Sequence, residues 1–136
     1  MTTDVYPPAK RSAVMARVKG RDTKPELIVR KTLWRLGARY RLHRRDLPGS
    51  PDIVLPGRRL VVFVHGCFWH GHDCRLGRIP KSRVEYWEQK IAGNRERDAR
   101  NLRSLSGMHW KCLVLWECQL KDDGALADRI RRFLDD

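Results

Sequence analysis

The run Leu60-Val61-Val62-Phe63-Val64-His65 sets the tightest limit on how this chain can fold. Its first five residues are apolar without interruption, so no position alternates toward water. A strand of that kind belongs inside a sheet covered on both faces. A second β-rich run, Pro51-Asp52-Ile53-Val54-Leu55, precedes it, and Pro56-Gly57-Arg58-Arg59 separates the two. The pair predicts an antiparallel hairpin closed by a Pro-Gly turn. If Leu55 faces Leu60, then Asp52 faces Phe63, and Asp52, Phe63 and His65 share one face.

The remaining elements follow from periodicity and punctuation. Thr23-Lys24-Pro25-Glu26 predicts a helix start, with Thr23 as N-cap and Glu26 completing a capping box. That helix should run to about Leu36 and stop at Gly37. A shorter helix is expected over Ser12–Lys19, carrying Val14, Met15 and Val18. Arg39–Arg45 reads as a basic edge strand, Ser82–Leu105 as a long helix, Trp110–Trp116 as a strand and Asp123–Leu134 as a terminal helix. The order α-β-β-β-α-β-α predicts an α/β (α+β) fold, a mixed central sheet flanked by helices. Residues 11–136 are expected to form one domain behind a flexible basic arm at residues 1–10.

Charge narrows the partners. Lys and Arg number 29 against 16 Asp and Glu, giving a net charge of +13 and a pI near 10.4. Such an excess favours a polyanion, nucleic acid before acidic protein or membrane surfaces. Met1–Pro8 hold no apolar signal region, and Leu60–Val64 is far too short to span a bilayer. A soluble intracellular protein is expected. In a reducing compartment, its four cysteines read as metal ligands or free thiols.

Three of those cysteines have ligand spacing. Cys67-x4-His72-x-Cys74 gathers three soft or borderline donors, and Cys118 follows the strand Trp110–Trp116. A Cys3His set suits a closed tetrahedral zinc site tying two strand ends together. The alternative is buried thiols beside a surface histidine. Cys112, in mid-strand, reads as a core thiol, and His70 as a substitute zinc ligand.

Several polar residues stand where apolar ones would be expected. Asp52 at the mouth of a buried hairpin needs a partner, such as Mg2+, unless it only caps the turn after Pro51. Glu26 shares a helix face with Val29, Leu33 and Leu36. Asn94 and Asp98 interrupt the stripe Val84, Trp87, Ile91, Leu102, Leu105. They either support a site or hydrogen-bond locally within the core.

These segments together resemble the Vsr endonucleases of very short patch repair. The likeness rests on Phe63-Val64-His65-Gly66-Cys67-Phe68-Trp69-His70-Gly71-His72-Asp73-Cys74, with Arg21-Asp22-Thr23, Leu47-Pro48-Gly49-Ser50-Pro51-Asp52, Asn94-Arg95-Glu96-Arg97-Asp98 and Trp116-Glu117-Cys118. The resemblance implies a PD-(D/E)xK-like nuclease fold and Mg2+-dependent nicking of double-stranded DNA 5′ to the thymine of a T:G mismatch. It implies Asp52 and the Val64 carbonyl as Mg2+ ligands, His70 as general base, and Glu26 and His65 assisting. Cys67, His72, Cys74 and Cys118 would hold structural Zn2+. Phe68 and Trp69, with Met15 from the N-terminal helix, would wedge into the DNA stack; otherwise the two aromatics shield the zinc site. The superfamily's Glu-x-Lys half-motif is replaced here by Phe63-Val64-His65, a loss the Vsr-type enzymes share. Position 64 is threonine in the Vsr motif, and a backbone ligand tolerates valine. The resemblance further implies mismatch-repair proteins as partners, in the bacterial cytoplasm at the nucleoid; a monomer is the default expectation. A related nuclease for modified or branched DNA, or a non-catalytic DNA-binding module, are the competing readings.

Overall fold

The computed structural model describes residues 23–135. The expectations for the basic arm, the Ser12–Lys19 helix and Met15 lie outside the described residues. Helix α1 spans Lys24–Arg35, strands β1, β2 and β3 span Arg41–Leu42, Ile53–Leu55 and Leu60–His65, helix α2 spans Val84–Gly107, strand β4 spans Lys111–Trp116, and helix α3 spans Asp123–Asp135. The strands form one sheet in the order β1-β2-β3-β4. β1/β2 and β2/β3 are antiparallel, and β3/β4 is parallel. A parallel neighbour needs a long crossover, and α2 supplies it.

The apolar strand β3 is buried on both faces, as its composition requires. Leu60 and Val62 join Val29 and Leu33 of α1 and Leu126, Ile130 and Phe133 of α3 in one core. Val61 and Phe63 point the other way, into a second core with Val54, Leu105 and Trp110. Each fully buried aliphatic side chain here stabilises the fold by roughly 1.5–3 kcal/mol. The sheet is thus a shared wall between α1/α3 and α2.

Three local expectations are corrected. The edge strand is only Arg41–Leu42, because His43 turns to a left-handed φ of 51° and leaves the ladder. The hairpin register Leu55↔Leu60 is as read, but a 3-10 turn over Pro56–Arg58 with Arg59 at φ 52° closes it. The capping box at α1 is half formed. Thr23 Oγ1 accepts from the Glu26 amide at 3.3 Å, while the Glu26 carboxylate turns inward to Arg30 and His43.

Candidate functional site

The parallel pair places the site. His65 and Trp116 face one another at the carboxyl ends of β3 and β4. Cys67 and Cys118 each lie two residues further on, so both chains leave the sheet at one edge. The segment after β3 folds back through tight turns, with the His72 amide donating to the Cys67 carbonyl at 2.9 Å and the Cys74 amide to the His72 carbonyl at 2.9 Å. The ring of Trp116 stacks on His72 at 4.3 Å. The outcome is that donor atoms of Cys67, His72, Cys74 and Cys118 all lie within 4.8 Å of one another. Sulfurs around a tetrahedral Zn2+ stand about 3.8 Å apart, so the cluster has the right scale.

The thiols differ in their readiness to ionise. Burial pushes Cys67 up to about 12. Burial also raises Cys74, but the His72 side chain, the Cys67 thiol and the Gly77 and Leu76 amides outweigh it and bring it to about 7. A thiol buried against two other thiols stays protonated unless a cation binds, and a bound metal deprotonates it outright. Cys112 packs against the second core and takes no part.

A second group of residues meets on the α2 side of the same sheet edge. Asp52, Val64, His65, His70 and Asp98 line a cleft of about 120 Å3. Asp52 follows the register foreseen for it: it stands one residue before β2 begins, and its Oδ2 accepts the Val64 amide at 2.8 Å. A residue's N–H and C=O leave a strand on the same side, so the Val64 carbonyl also points past the start of β2. Burial, with the Glu26 carboxylate alongside, raises Asp52 to about 7. Two carboxylates this close, in a buried place, are chemically suited to a shared cation or a shared proton.

His65 is 5% exposed and stacks flat on His70, with ring centroids 3.8 Å apart and planes 2° apart. Burial and the neighbouring His70 lower His65 to about 4, so it is neutral at physiological pH. His70 Nδ1 lies 2.6 Å from Asp98 Oδ2. His65, His70 and Asp98 bring their donor atoms within 4.8 Å. Yet lone pairs of stacked imidazoles run in parallel planes and do not converge on one metal. The trio is better described as a histidine–aspartate pair backed by a neutral ring.

The aromatics complete the edge. Phe68 and Trp69 are half-buried and meet edge to face at 5.1 Å. Both rest on Trp87 of α2, at 5.2 and 6.0 Å, and Asn94 Nδ2 donates to the Trp69 carbonyl at 2.9 Å. So the polar interruptions of the α2 stripe reach across to the Cys67–Cys74 segment: Asn94 holds its backbone and Asp98 its histidine. Trp87, read as a core residue, is also the platform under the aromatic pair. His43 was missed. Its signal lay in the hairpin register, since one step beyond Leu42↔Ile53 sets His43 opposite Asp52.

Comparison with known proteins agrees with this geometry. The family described as DNA mismatch endonuclease Vsr matches residues 3–76. The chain is 53% identical over 133 residues to the type II nicking enzyme V.XorIIP of Xanthomonas oryzae pv. oryzae, covering 98% of each. It is 45% identical over 132 residues to the type II nicking enzyme V.NmeAIP of Neisseria meningitidis, covering 97% of this chain and 94% of that one. It is 39% identical over 136 residues to the DNA mismatch endonuclease Vsr of Escherichia coli, covering 96% and 87%. With a mixed sheet, a polar cleft and a Cys/His cluster at one edge, the chain belongs to the Vsr family of DNA mismatch endonucleases, DNA-cutting enzymes on a restriction-endonuclease-like fold.

Proposed function

We propose that this endonuclease nicks double-stranded DNA 5′ to the thymine of a T:G mismatch by Mg2+-dependent hydrolysis, and that the Cys67–His72–Cys74–Cys118 cluster carries structural Zn2+. The observation that carries the reading is the His70–Asp98 pair facing the Asp52 carboxylate across one cleft. Asp52 and the Val64 carbonyl would hold Mg2+, and the buried Asp52–Glu26 carboxylates fit that role because their mutual repulsion needs a cation. When bound, Mg2+ neutralises charge on the phosphate and polarises the scissile bond.

The chain's own residues do the rest. Asp98 accepts from Nδ1–H of His70, which leaves Nε2 with a free lone pair. That nitrogen removes a proton from the attacking water, and Asp98 stabilises the imidazolium that forms. His65, already neutral, adds no opposing charge when His70 becomes positive. Phe68 and Trp69, with Met15 from the N-terminal segment, would enter the base stack beside the mismatch. Unstacking costs a few kcal/mol per step, and less at a mispair, which is a physical route to selecting T:G.

A nicking assay on matched oligonucleotide duplexes tests this. The expected result is one nick, 5′ to the mispaired thymine, in T:G duplex with Mg2+, and none with Asp52→Ala. Equal cutting of perfect duplex would point instead to another DNA target. Binding of T:G duplex by wild-type and Asp52→Ala proteins alike, without cutting by either, would leave only a DNA-binding module.

A further inference from the structure

We propose that His43 is a positioning residue for the active site, setting the spacing between the carboxylates of Glu26 and Asp52. The inference rests on the Mg2+ reading above. His43 is the first residue after β1, one step beyond the last paired residues Leu42 and Ile53. Its amide donates to the Asp52 carbonyl at 3.1 Å. Its ring turns the other way, and Nε2 lies 2.9 Å from Glu26 Oε2. With its proton on Nε2, the His43 ring donates to the Glu26 carboxylate. One residue therefore holds the backbone of one acidic group and the side chain of the other.

The position is held against local preference. His43 has φ 51°, a left-handed conformation that a histidine in a continuing strand would not adopt. In that conformation the strand ends and the ring swings from the edge toward α1. Glu26, 1% exposed, has one other named partner for Oε2, Arg30 one helical turn along the same helix. Arg30 lies on α1 with Glu26 and comes within 3.5 Å of His43 Nε2. His43 belongs to the β1–β2 edge and joins it to α1 beside the direct side-chain bond between Glu26 and Asp52. Groups that orient ligands in this way commonly change metal affinity or rate by about 10- to 100-fold when removed.

The test uses full-length, zinc-loaded protein and two substitutions. His43→Asn keeps the left-handed backbone, which asparagine accepts, but is too short to reach Glu26. His43→Gln returns an N–H donor near the place of Nε2. Two readouts are followed: Mn2+ binding without DNA, by electron paramagnetic resonance, and single-turnover nicking against Mg2+ concentration at saturating T:G duplex. For His43→Asn, Mn2+ affinity and maximal rate should each fall about tenfold, with DNA affinity within twofold of wild type. His43→Gln should recover most of both. Wild-type behaviour in His43→Asn, or no recovery in His43→Gln, overturns the positioning role. If wild-type protein neither binds Mn2+ nor needs Mg2+ to cut, the metal reading itself fails and takes the inference with it.

Discussion

His70 Nδ1 lies 2.6 Å from Asp98 Oδ2, across from α2 to the segment that follows β3. The pair is partly buried, with side-chain exposures of 29% and 23%, so the contact is neither a surface ion pair nor sealed from substrate. Asp98 fixes which nitrogen of His70 carries the proton. Asp98→Asn keeps the shape but loses the carboxylate that holds the tautomer and offsets the imidazolium. Nicking should fall roughly 10- to 100-fold while DNA affinity stays near wild type. Single-turnover rates beside a binding titration check this. An unchanged rate would remove Asp98 from the mechanism.

Asp52 and His65 give opposite pH signatures in the metal-free protein. Asp52 is raised from 3.8 to about 7, so folding binds its proton more tightly than the unfolded chain does. Its contribution to stability is complete below about pH 4 and disappears as pH rises to about 7. His65 is lowered from 6.5 to about 4. Its contribution is present above about pH 6.5 and is lost as pH falls toward 4. Between those limits the two oppose each other, so denaturation midpoints should change little with pH. Divalent-cation affinity should not be flat, because binding must displace the Asp52 proton. Mn2+ affinity should rise about tenfold per pH unit up to about pH 7 and then level off. Calorimetric titrations across that range measure the slope. A pH-independent affinity would mean that Asp52 is not a ligand.

Much of the sheet was legible because β3 had only one place open to it. A strand whose first five residues are all apolar must be central, and the mixed sheet followed from the element order; the parallel pairing of β3 with β4 came from the structure. The gathering of Cys67, His72, Cys74 and Cys118 was legible from their spacing and from Cys118 standing just beyond a strand end. What could not be read was the direction of single polar side chains. Glu26 fitted a capping box and an inward face equally well, and tertiary partners Arg30 and His43 decided between them. Asp98 fitted local core bonding until His70 came within reach across 28 residues of sequence. His43 had only its register place opposite Asp52 to mark it, because its ring reaches Glu26 by leaving the strand pattern rather than keeping it.

Loss of the metal cluster should separate activity from fold. The cores formed by β3, β4 and the helices contain none of the four ligands. The segment from Gly66 to Gly77 is held by tight turns, the Asn94 bond and the cluster itself. Chelation or Cys118→Ala should therefore release His70 before the domain unfolds. The expected result is loss of nicking, a melting temperature lower by about 10 °C or more, and far-ultraviolet dichroism near wild type at low temperature. Metal analysis of freshly purified protein should give one zinc per chain. Full activity in metal-stripped protein would show the cluster to be dispensable.

Gly71, between His70 and His72, offers the sharpest structural test of how the cleft and the Cys/His cluster are joined. Its φ is 66°, and a Cβ there would stand 2.4 Å from Ile91 Cγ2 and 2.7 Å from Arg95 Cδ. Arg95 can swing away, but Ile91 is 6% exposed and fixed in the body of α2. Gly71→Ala therefore combines left-handed strain of about 1–2 kcal/mol with overpacking of about 1–3 kcal/mol. The segment must lift off α2, which moves His70 and His72 together. Displacement of a reacting group by about 1 Å can cost on the order of 100-fold in rate. Gly37 is the control, because its φ is 76° but nothing lies within 4 Å of its Cβ position. Gly37→Ala should incur only the left-handed strain and keep its zinc and its nicking rate. Gly71→Ala should lose both, measured by metal content and single-turnover cutting. If the two variants behave alike, contact of the His70–His72 segment with α2 does not govern the site.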